Sequence, residues 1–171
     1  MILDKFAQIN TFLLDVDGVL TNGSVIATDG GEMRRSFNIK DGFALQFAVK
    51  QGYNVIIISG GNSEGVRSRL KNLGIEHVHT GVANKRDFLL ELSKEMQLDL
   101  DNCLYMGDDY PDISVMKLCG LKVCPADAVW EVKEIADWIT QANGGEGAVR
   151  EIIERTLQMQ DKWESSEHSV W

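Results

Sequence analysis

Four stretches of the sequence carry side chains that could together transfer a phosphoryl group. Asp15 and Asp17 directly follow the apolar run Phe12-Leu13-Leu14, where two carboxylates are costly unless a cation or ligand compensates their charge. Three further groups also follow apolar runs. The first is Ser59 with Gly60 and Gly61, the second is Lys85, and the third is Asp108, Asp109 and Asp112. Two acidic clusters that meet need a counter-ion, and Mg²⁺ takes hard oxygen ligands and bridges them to phosphate.

Each group has a role in such a reaction. Asp15 can act as the nucleophile that forms an aspartyl-phosphate, and Asp17 can protonate the leaving oxygen and later activate water. Ser59 can donate a hydrogen bond to the phosphoryl oxygens, and Lys85 can offset their developing charge. Taken singly, each group also has a structural explanation as a turn, a helix cap or a surface charge. Their order, one group after each strand, favours the catalytic interpretation.

The elements that position these residues are short apolar runs that alternate with helical patterns. Strands are predicted at residues 11–16, 54–59, 77–79, 103–107, 121–124 and 137–140, and helices at 42–51, 63–73, 85–96, 112–118 and 129–135. This alternation predicts an α/β fold, a Rossmann-like parallel sheet with helices on both faces. Ligands of such sheets bind beyond the carboxyl ends of the strands, which is where the candidate residues stand.

Two segments depart from the alternation. Residues 19–38 hold two β-like pieces, 24–27 and 33–37, around Asp29-Gly30-Gly31, which indicates a β-hairpin. This hairpin could be a flap over the aspartate pair or simply a surface feature. From residue 144 the tail has a flexible Gly144-Gly145-Glu146-Gly147 stretch and an amphipathic helix at 148–163, and residues 164–171 are expected to be disordered.

Composition limits the remaining choices. A chain of 171 residues predicts one domain over residues 1–171, and its net charge of −9 argues against binding to nucleic acid. The three cysteines lack CxxC spacing, so we expect them to be reduced and packed in the interior. No apolar run reaches the ~18 residues of a membrane span, and the start of the chain lacks a signal-peptide pattern. We therefore expect a cytoplasmic protein without a membrane partner.

The four motifs resemble those of the haloacid dehalogenase superfamily. The D-x-D-G-V of residues 15–19 resembles its first motif, Ser59 its second, Lys85 its third and Gly107-Asp108-Asp109 its fourth. The resemblance implies that Asp15 is the nucleophile and Asp17 the general acid and base. It implies Mg²⁺ ligands from Asp15, the backbone carbonyl of Asp17 and Asp108, with Asp109 and Asp112 supporting these ligands from outside the coordination sphere.

Most members of the superfamily carry a cap domain, whereas here only the hairpin follows the first motif. The chain is similar throughout to one small capless subfamily, the phosphatases of 3-deoxy-D-manno-octulosonate 8-phosphate. The matching segments are FNIKDGFAL (37–45), GVRSRLKNLGI (65–75), GDDYPDISVM (107–116) and GGEGAVREI (144–152). The resemblance implies a role in lipopolysaccharide precursor synthesis. It also implies a homotetramer in which a neighbouring subunit and its Gly-rich tail complete the pocket.

The resemblance also implies a set of substrate-binding residues. Arg69 can pair with the substrate carboxylate, Asn38 and Asp41 can bond sugar hydroxyls, and Arg150 is expected to lie on the surface. The full set is Asp17, Asn38, Ile39, Lys40, Asp41, Gly42, Gln46, Ser59, Gly60, Gly61, Arg69 and Lys85.

Two departures keep other substrates open. Many relatives have T-G-R in the second motif, where this chain has Ser59-Gly60-Gly61, and Glu146 stands where a basic residue is frequent. A phosphatase of 2-keto-3-deoxynononate 9-phosphate or acylneuraminate 9-phosphate is therefore the alternative. A receiver-like domain and an inactive scaffold are the non-enzyme alternatives. The "HVHTG" that ends the third strand lacks the aspartate a receiver needs, and the intact motifs argue against a scaffold.

Overall fold

The fold is given by a computed structural model, which describes residues 1–163, so the predicted disorder of residues 164–171 lies outside the described residues. The strands are β1 (Thr11–Leu14), β2 (Ile26–Ala27), β3 (Met33–Arg34), β4 (Asn54–Ile58), β5 (His77–His79), β6 (Cys103–Met106), β7 (Leu121–Cys124) and β8 (Trp138–Ile139). The helices are α1 (Ile2–Gln8), α2 (Ile39–Lys50), α3 (Glu64–Lys71), α4 (Lys85–Glu95), α5 (Tyr110–Met116), α6 (Trp130–Ile135) and α7 (Ala148–Met159).

Six strands form one parallel sheet in the order β5-β4-β1-β6-β7-β8. In this order β1 lies at the centre, and its last residue, Leu14, pairs with Ile57 of β4 and Met106 of β6. The three strands therefore end side by side, which brings the residues after them to one edge. The predicted parallel α/β sheet is confirmed, and so is the convergence of its strand ends.

Alternate residues of β1 point to two separate cores. Phe12 and Leu14 pack into the core under α1, α2, α3 and α7, whereas Leu13 packs into the core under α4, α5 and α6. Because both faces of the sheet are covered, its strands are continuous apolar runs such as Val55–Ile58 rather than alternating ones. The helices thus form the two outer layers that the sequence predicts.

Local capping explains where the predicted boundaries shift. Helix α2 begins at Ile39, three residues before the predicted start, because the side chain of Asn38 accepts a hydrogen bond from the backbone N–H of Lys40. The sequence did not predict α1, whose Phe6 is fully buried against the sheet. The hairpin is present as β2 and β3, each only two residues long.

Three further features of residues 1–163 bear on the sequence analysis. Between β1 and α2 there is only the hairpin, and between β4 and α4 only α3 and β5, so residues 1–163 contain no cap domain. Cys103, Cys119 and Cys124 are buried and unpaired, as expected for packed, reduced thiols. No helix among these residues is both long and apolar enough to cross a membrane.

Candidate active site

The loop after β1 wraps tightly around one backbone carbonyl. The carbonyl oxygen of Val16 accepts the backbone N–H groups of Val19, Leu20 and Thr21, which turns the chain sharply after Asp17. Gly18 has a φ of +83°, and a Cβ there would overlap the carboxylate of Asp108. The glycine of D-x-D-G therefore permits both the turn and the close approach of the acidic side chain after β6.

Lys85 joins the two acidic clusters. It is the first residue of α4, and its buried Nζ lies 3.0 Å from Oδ2 of Asp15 and 2.8 Å from Oδ1 of Asp112. The same Oδ1 of Asp112 accepts a hydrogen bond of 2.9 Å from the hydroxyl of Tyr105 in β6. Tyr105 was not predicted from the sequence, since a tyrosine within an apolar strand gives no sign of a polar role.

The aspartates after β6 have different positions. The backbone N–H of Asp108 donates to Oδ2 of the buried Asp112, so both Asp112 oxygens accept hydrogen bonds from protein donors. Asp109 is exposed and caps α5 through the backbone N–H of Tyr110. Oxygen atoms of Asp15, Asp108 and Asp112 all lie within 4.8 Å of one another and could hold a metal ion.

The charges of this cluster do not balance. Burial, together with the charge of Asp112, raises the pKa of Asp15 to about 6 despite the nearby Lys85. Burial and the neighbouring carboxylates raise the pKa of Asp108 to about 7. Burial disfavours the charged form of Lys85, but Asp15 and Asp112 outweigh it and raise the pKa of the ammonium. One lysine among three carboxylates leaves excess negative charge, which suits a divalent cation with oxygen ligands.

Ser59 lies at the same edge, after β4. Its side chain is buried, and its hydroxyl oxygen accepts a hydrogen bond from the backbone N–H of Gly61 at 3.2 Å. A hydroxyl that accepts in this way keeps its own O–H to donate to a ligand. The backbone of the Ser59–Gly61 turn is tied to the loop after β5 by hydrogen bonds that involve Gly81 and Val82.

Asp17 has a partner that sequence reasoning missed. Arg35, just after β3, donates from Nε to Oδ1 of Asp17 at 2.6 Å and from Nη2 to Oδ2 at 3.0 Å. The guanidinium is largely covered, with 10% of the Arg35 side chain exposed. The sequence offers one signal for this contact. Arg34 and Arg35 are successive residues of the β-like piece 33–37, and successive side chains of a strand point to opposite faces, so one of the two faces inward.

A cavity of about 990 Å³ opens between the hairpin and α3. This volume lies at the upper end of the ~300–1,000 Å³ of ligand pockets. Its lining consists of residues 31–35, Phe37, residues 61–66 and Arg69. The structure therefore brings Gly61 and Arg69, two of the predicted substrate residues, to one cavity beside Asp17.

The other predicted substrate residues lie around the first turns of α2. Ile39 and Lys40 are exposed, Gln46 is half-buried, and Asn38 caps the helix. Gly42 packs directly under Arg69, since a Cβ on Gly42 would lie 2.6 Å from Nη2 of that arginine. Asp41 does not reach the cavity: it is buried, and its carboxylate accepts the backbone N–H groups of Gly147 and Arg150 at the start of α7.

The Gly-rich segment before α7 packs on the loop that carries the aspartate pair. A Cβ on Gly144 would overlap the carbonyl of Gly18, and the backbone N–H of Gly145 donates to the carbonyl of Val19. Residues 144–147 therefore support the loop of their own chain, and their contribution to the pocket of a neighbouring subunit stays a prediction. Arg150, expected on the surface, is half-buried and lies over the rings of Phe43 and Trp163.

Comparison with known proteins gives a consistent result. Residues 76–153 match the model of the haloacid dehalogenase-like hydrolases. The chain is 36% identical over 161 residues, 94% of its length and 86% of the relative's, to the 3-deoxy-D-manno-octulosonate 8-phosphate phosphatase of Escherichia coli K12.

Two solved structures carry the same name. That of the Yersinia pestis phosphatase has a TM-score of 0.93 and 34% identity, and covers 96% of this chain and 89% of its own. The structure of the Moraxella catarrhalis phosphatase is a complex with magnesium ion, phosphate ion and KDO. It has a TM-score of 0.91 and 34% identity to this chain, and the match covers 95% of this chain and 93% of that one. The chain therefore belongs to the haloacid dehalogenase-like hydrolases, in the family of the 3-deoxy-D-manno-octulosonate 8-phosphate phosphatases.

Proposed function

We propose that this chain is a Mg²⁺-dependent phosphatase that hydrolyses 3-deoxy-D-manno-octulosonate 8-phosphate to the free sugar acid and phosphate, in lipopolysaccharide precursor synthesis. The observation that carries the proposal is the position of Lys85 between Asp15 and Asp112, beside Asp108, at the edge where β1, β4 and β6 end. Relatives that share this fold over nearly the whole chain bear the name of that activity.

The proposed reaction has two steps, both centred on Asp15. A carboxylate oxygen of Asp15 attacks phosphorus, the P–O bond to the sugar breaks, and Asp17 gives a proton to the leaving oxygen. Water then attacks the aspartyl-phosphate and transfers a proton to Asp17, which releases phosphate and restores Asp15. Lys85 stabilises the charge of the phosphoryl oxygens, and Ser59 donates to one of them.

The metal would be held by Asp15, the backbone carbonyl of Asp17 and Asp108. When bound, Mg²⁺ would neutralise the negative charge shared by these carboxylates and the phosphate. Asp112 would keep this arrangement in place, because its oxygens already hold Lys85, Tyr105 and the backbone of Asp108. Asp109, which caps α5, would support the loop rather than the metal.

The sugar acid would occupy the cavity between the hairpin and α3. Arg69, one of three arginines that line it, would pair with the substrate carboxylate, and the exposed Lys40 lies on the neighbouring helix α2. The nine-carbon substrate, 2-keto-3-deoxynononate 9-phosphate, is the second candidate. It is favoured by the absence of an arginine at Gly61, which removes one candidate contact for the carboxylate of the octulosonate.

Phosphate release with Mg²⁺, measured on both substrates, tests the proposal. We expect kcat/KM to be at least about 100-fold higher for the octulosonate, a difference of about 2.7 kcal/mol in transition-state binding. The reverse preference would assign the enzyme to the nononate. No release from either substrate or from p-nitrophenyl phosphate would overturn the phosphatase itself.

We further propose that the chain is one domain over residues 1–171, lies in the cytoplasm and assembles as a homotetramer. One domain is supported by the single sheet that both cores share. A cytoplasmic location is supported by three unpaired cysteines. Assembly is supported by exposed apolar side chains on and beside the hairpin, namely Val25, Ile26, Met33 and Ile39.

A further inference from the structure

Arg35 differs from Arg34, its neighbour on the hairpin, in exposure and in partner. The Arg34 side chain is 69% exposed and pairs with Glu32, whereas the Arg35 side chain is 10% exposed and turns inward onto Asp17. Arginine carries five N–H donors. Three of them are used in the hydrogen bonds to the two Asp17 oxygens and to the carbonyl of Met33. The guanidinium therefore retains donors for a further anion.

The absence of a side chain at Gly61 makes room for this guanidinium. A Cβ on Gly61 would lie 3.4 Å from Nη2 of Arg35, 3.4 Å from Oδ2 of Asp17 and 3.7 Å from Oγ of Ser59. Three polar groups from three different loops thus surround one point. Two of them, the hydroxyl of Ser59 and the guanidinium of Arg35, are donors suited to phosphate oxygens.

From this arrangement we propose that Arg35 is a phosphoryl-binding residue, a second cation that the hairpin brings to the phosphate beside Lys85. The Asp17 carboxylate holds the planar guanidinium through two parallel bonds, the geometry in which arginine also binds a phosphate. The phosphoryl group of the substrate takes the remaining donors and draws Nη2 toward the Ser59 side. The hairpin segment thereby supplies one ligand of the phosphoryl group. The inference rests on the proposed phosphatase function.

Binding of inorganic phosphate to the Mg²⁺-loaded protein, measured by calorimetry, tests the assignment without turnover. We expect Arg35→Gln to weaken phosphate binding about 10- to 100-fold, the loss typical of hydrogen bonds to a charged group. Arg35→Lys, which keeps one charge but not the paired donors, should retain part of the affinity. Arg86→Gln, which removes an exposed arginine that pairs with Asp87 and does not line the cavity, is the control and should change it less than about twofold.

Steady-state kinetics with two substrates distinguish the phosphoryl group from the sugar. Because both carry a phosphoryl group, Arg35→Gln should raise KM by a similar factor for the sugar-acid phosphate and for p-nitrophenyl phosphate. A rise confined to the sugar-acid phosphate would instead place Arg35 on the sugar and overturn the assignment. Unchanged phosphate affinity in Arg35→Gln, or in Arg35→Lys if the glutamine variant does not fold, would also overturn it. Failure of the wild-type protein to release phosphate would count against the phosphatase proposal instead.

Discussion

The ammonium group of Lys85 lies 3.0 Å from Oδ2 of Asp15 and is buried with it. Because Lys85 is also bonded to Asp112, a single positive charge holds the side chains that follow β1 and β6 in one cluster. Breaking such a buried pair leaves carboxylates without a cation in a medium that solvates them poorly. The same residue therefore serves both the stability of the fold and the charge balance of the site.

Replacing this lysine should affect both properties. We expect Lys85→Met to lower the free energy of unfolding by about 3–5 kcal/mol near neutral pH. Among molecules that remain folded, kcat should fall about 10²- to 10³-fold, since a charge-stabilising donor is lost. Lys94→Met, an exposed lysine in the last turn of the same helix, is the control. Urea denaturation and phosphate release measure the two effects, and equal behaviour of the two variants would contradict the assigned role.

The raised pKa of Asp108 makes a prediction about stability without metal. Its pKa in the folded protein, about 7, exceeds the ordinary value of 3.8. The folded state therefore holds the proton more tightly, and stability contributed by this group is lost as pH rises from about 4 to 7. Asp108→Asn removes this pH-dependent loss of stability. At pH 8 in a chelator the free energy of unfolding of the variant should therefore exceed that of the wild type by roughly 1–3 kcal/mol, a range that allows for partial screening by solvent.

With Mg²⁺ the order should reverse, because the metal binds the wild-type carboxylate and stabilises that protein more than the variant. Urea denaturation with and without Mg²⁺ measures both comparisons. Asp109→Asn is the control: this side chain is exposed, and asparagine caps a helix as well as aspartate does, so stability should change by less than about 0.5 kcal/mol. If Asp108→Asn is less stable than the wild type in the chelator at pH 8, the excess negative charge does not destabilise the fold.

The contact between Gly144 and Gly18 predicts a remote effect on catalysis. A Cβ on Gly144 would overlap the Gly18 carbonyl, so Gly144→Ala must shift either the tail segment or the aspartate loop. We expect a loss of about 1–3 kcal/mol in stability and a fall in kcat of at least about 10-fold. Gly30→Ala is the control, since the atom nearest to its added Cβ lies 4.0 Å away. Thermal melts and kinetics that do not separate the two variants would refute this support of the loop.

Parallel topology explains why much of the site could be predicted from the sequence. Asp15, Ser59, Lys85 and Asp108 each follow a strand, and the ends of parallel strands meet whatever their distance along the chain. Arg35 could not be found in this way, because its approach to Asp17 depends on how a short hairpin folds back. The structural role of Asp41 could not be predicted either, because its side chain caps α7 through a hydrogen bond to Arg150, 109 residues further along the chain.

The hydrogen bonds of Asp41 separate a structural role from the substrate-binding role that the resemblance implies. Its buried carboxylate accepts the backbone N–H of Arg150 at 2.7 Å and that of Gly147 at 3.3 Å. Asp41→Ala should therefore cost about 1–3 kcal/mol of stability while leaving KM within about twofold of the wild type. Urea denaturation and kinetics on the same preparation measure the two quantities. A raised KM with unchanged stability would favour a sugar contact instead.

The apolar side chains of the hairpin predict the surface through which subunits associate. Ile26 and Met33 are 63% and 60% exposed on β2 and β3, and a stable interface needs more than about 1,000 Å² of such surface to be buried. We expect the wild-type protein to elute as a tetramer in size-exclusion chromatography with light scattering. The double variant Ile26→Lys, Met33→Lys should elute as smaller species, because charged side chains are poorly tolerated in an interface core.

Trp130→Lys, which alters an equally exposed residue on α6, is the control and should leave the tetramer intact. A monomeric wild-type protein would refute the assembly, and a tetramer that survives the double substitution would move the interface away from the hairpin.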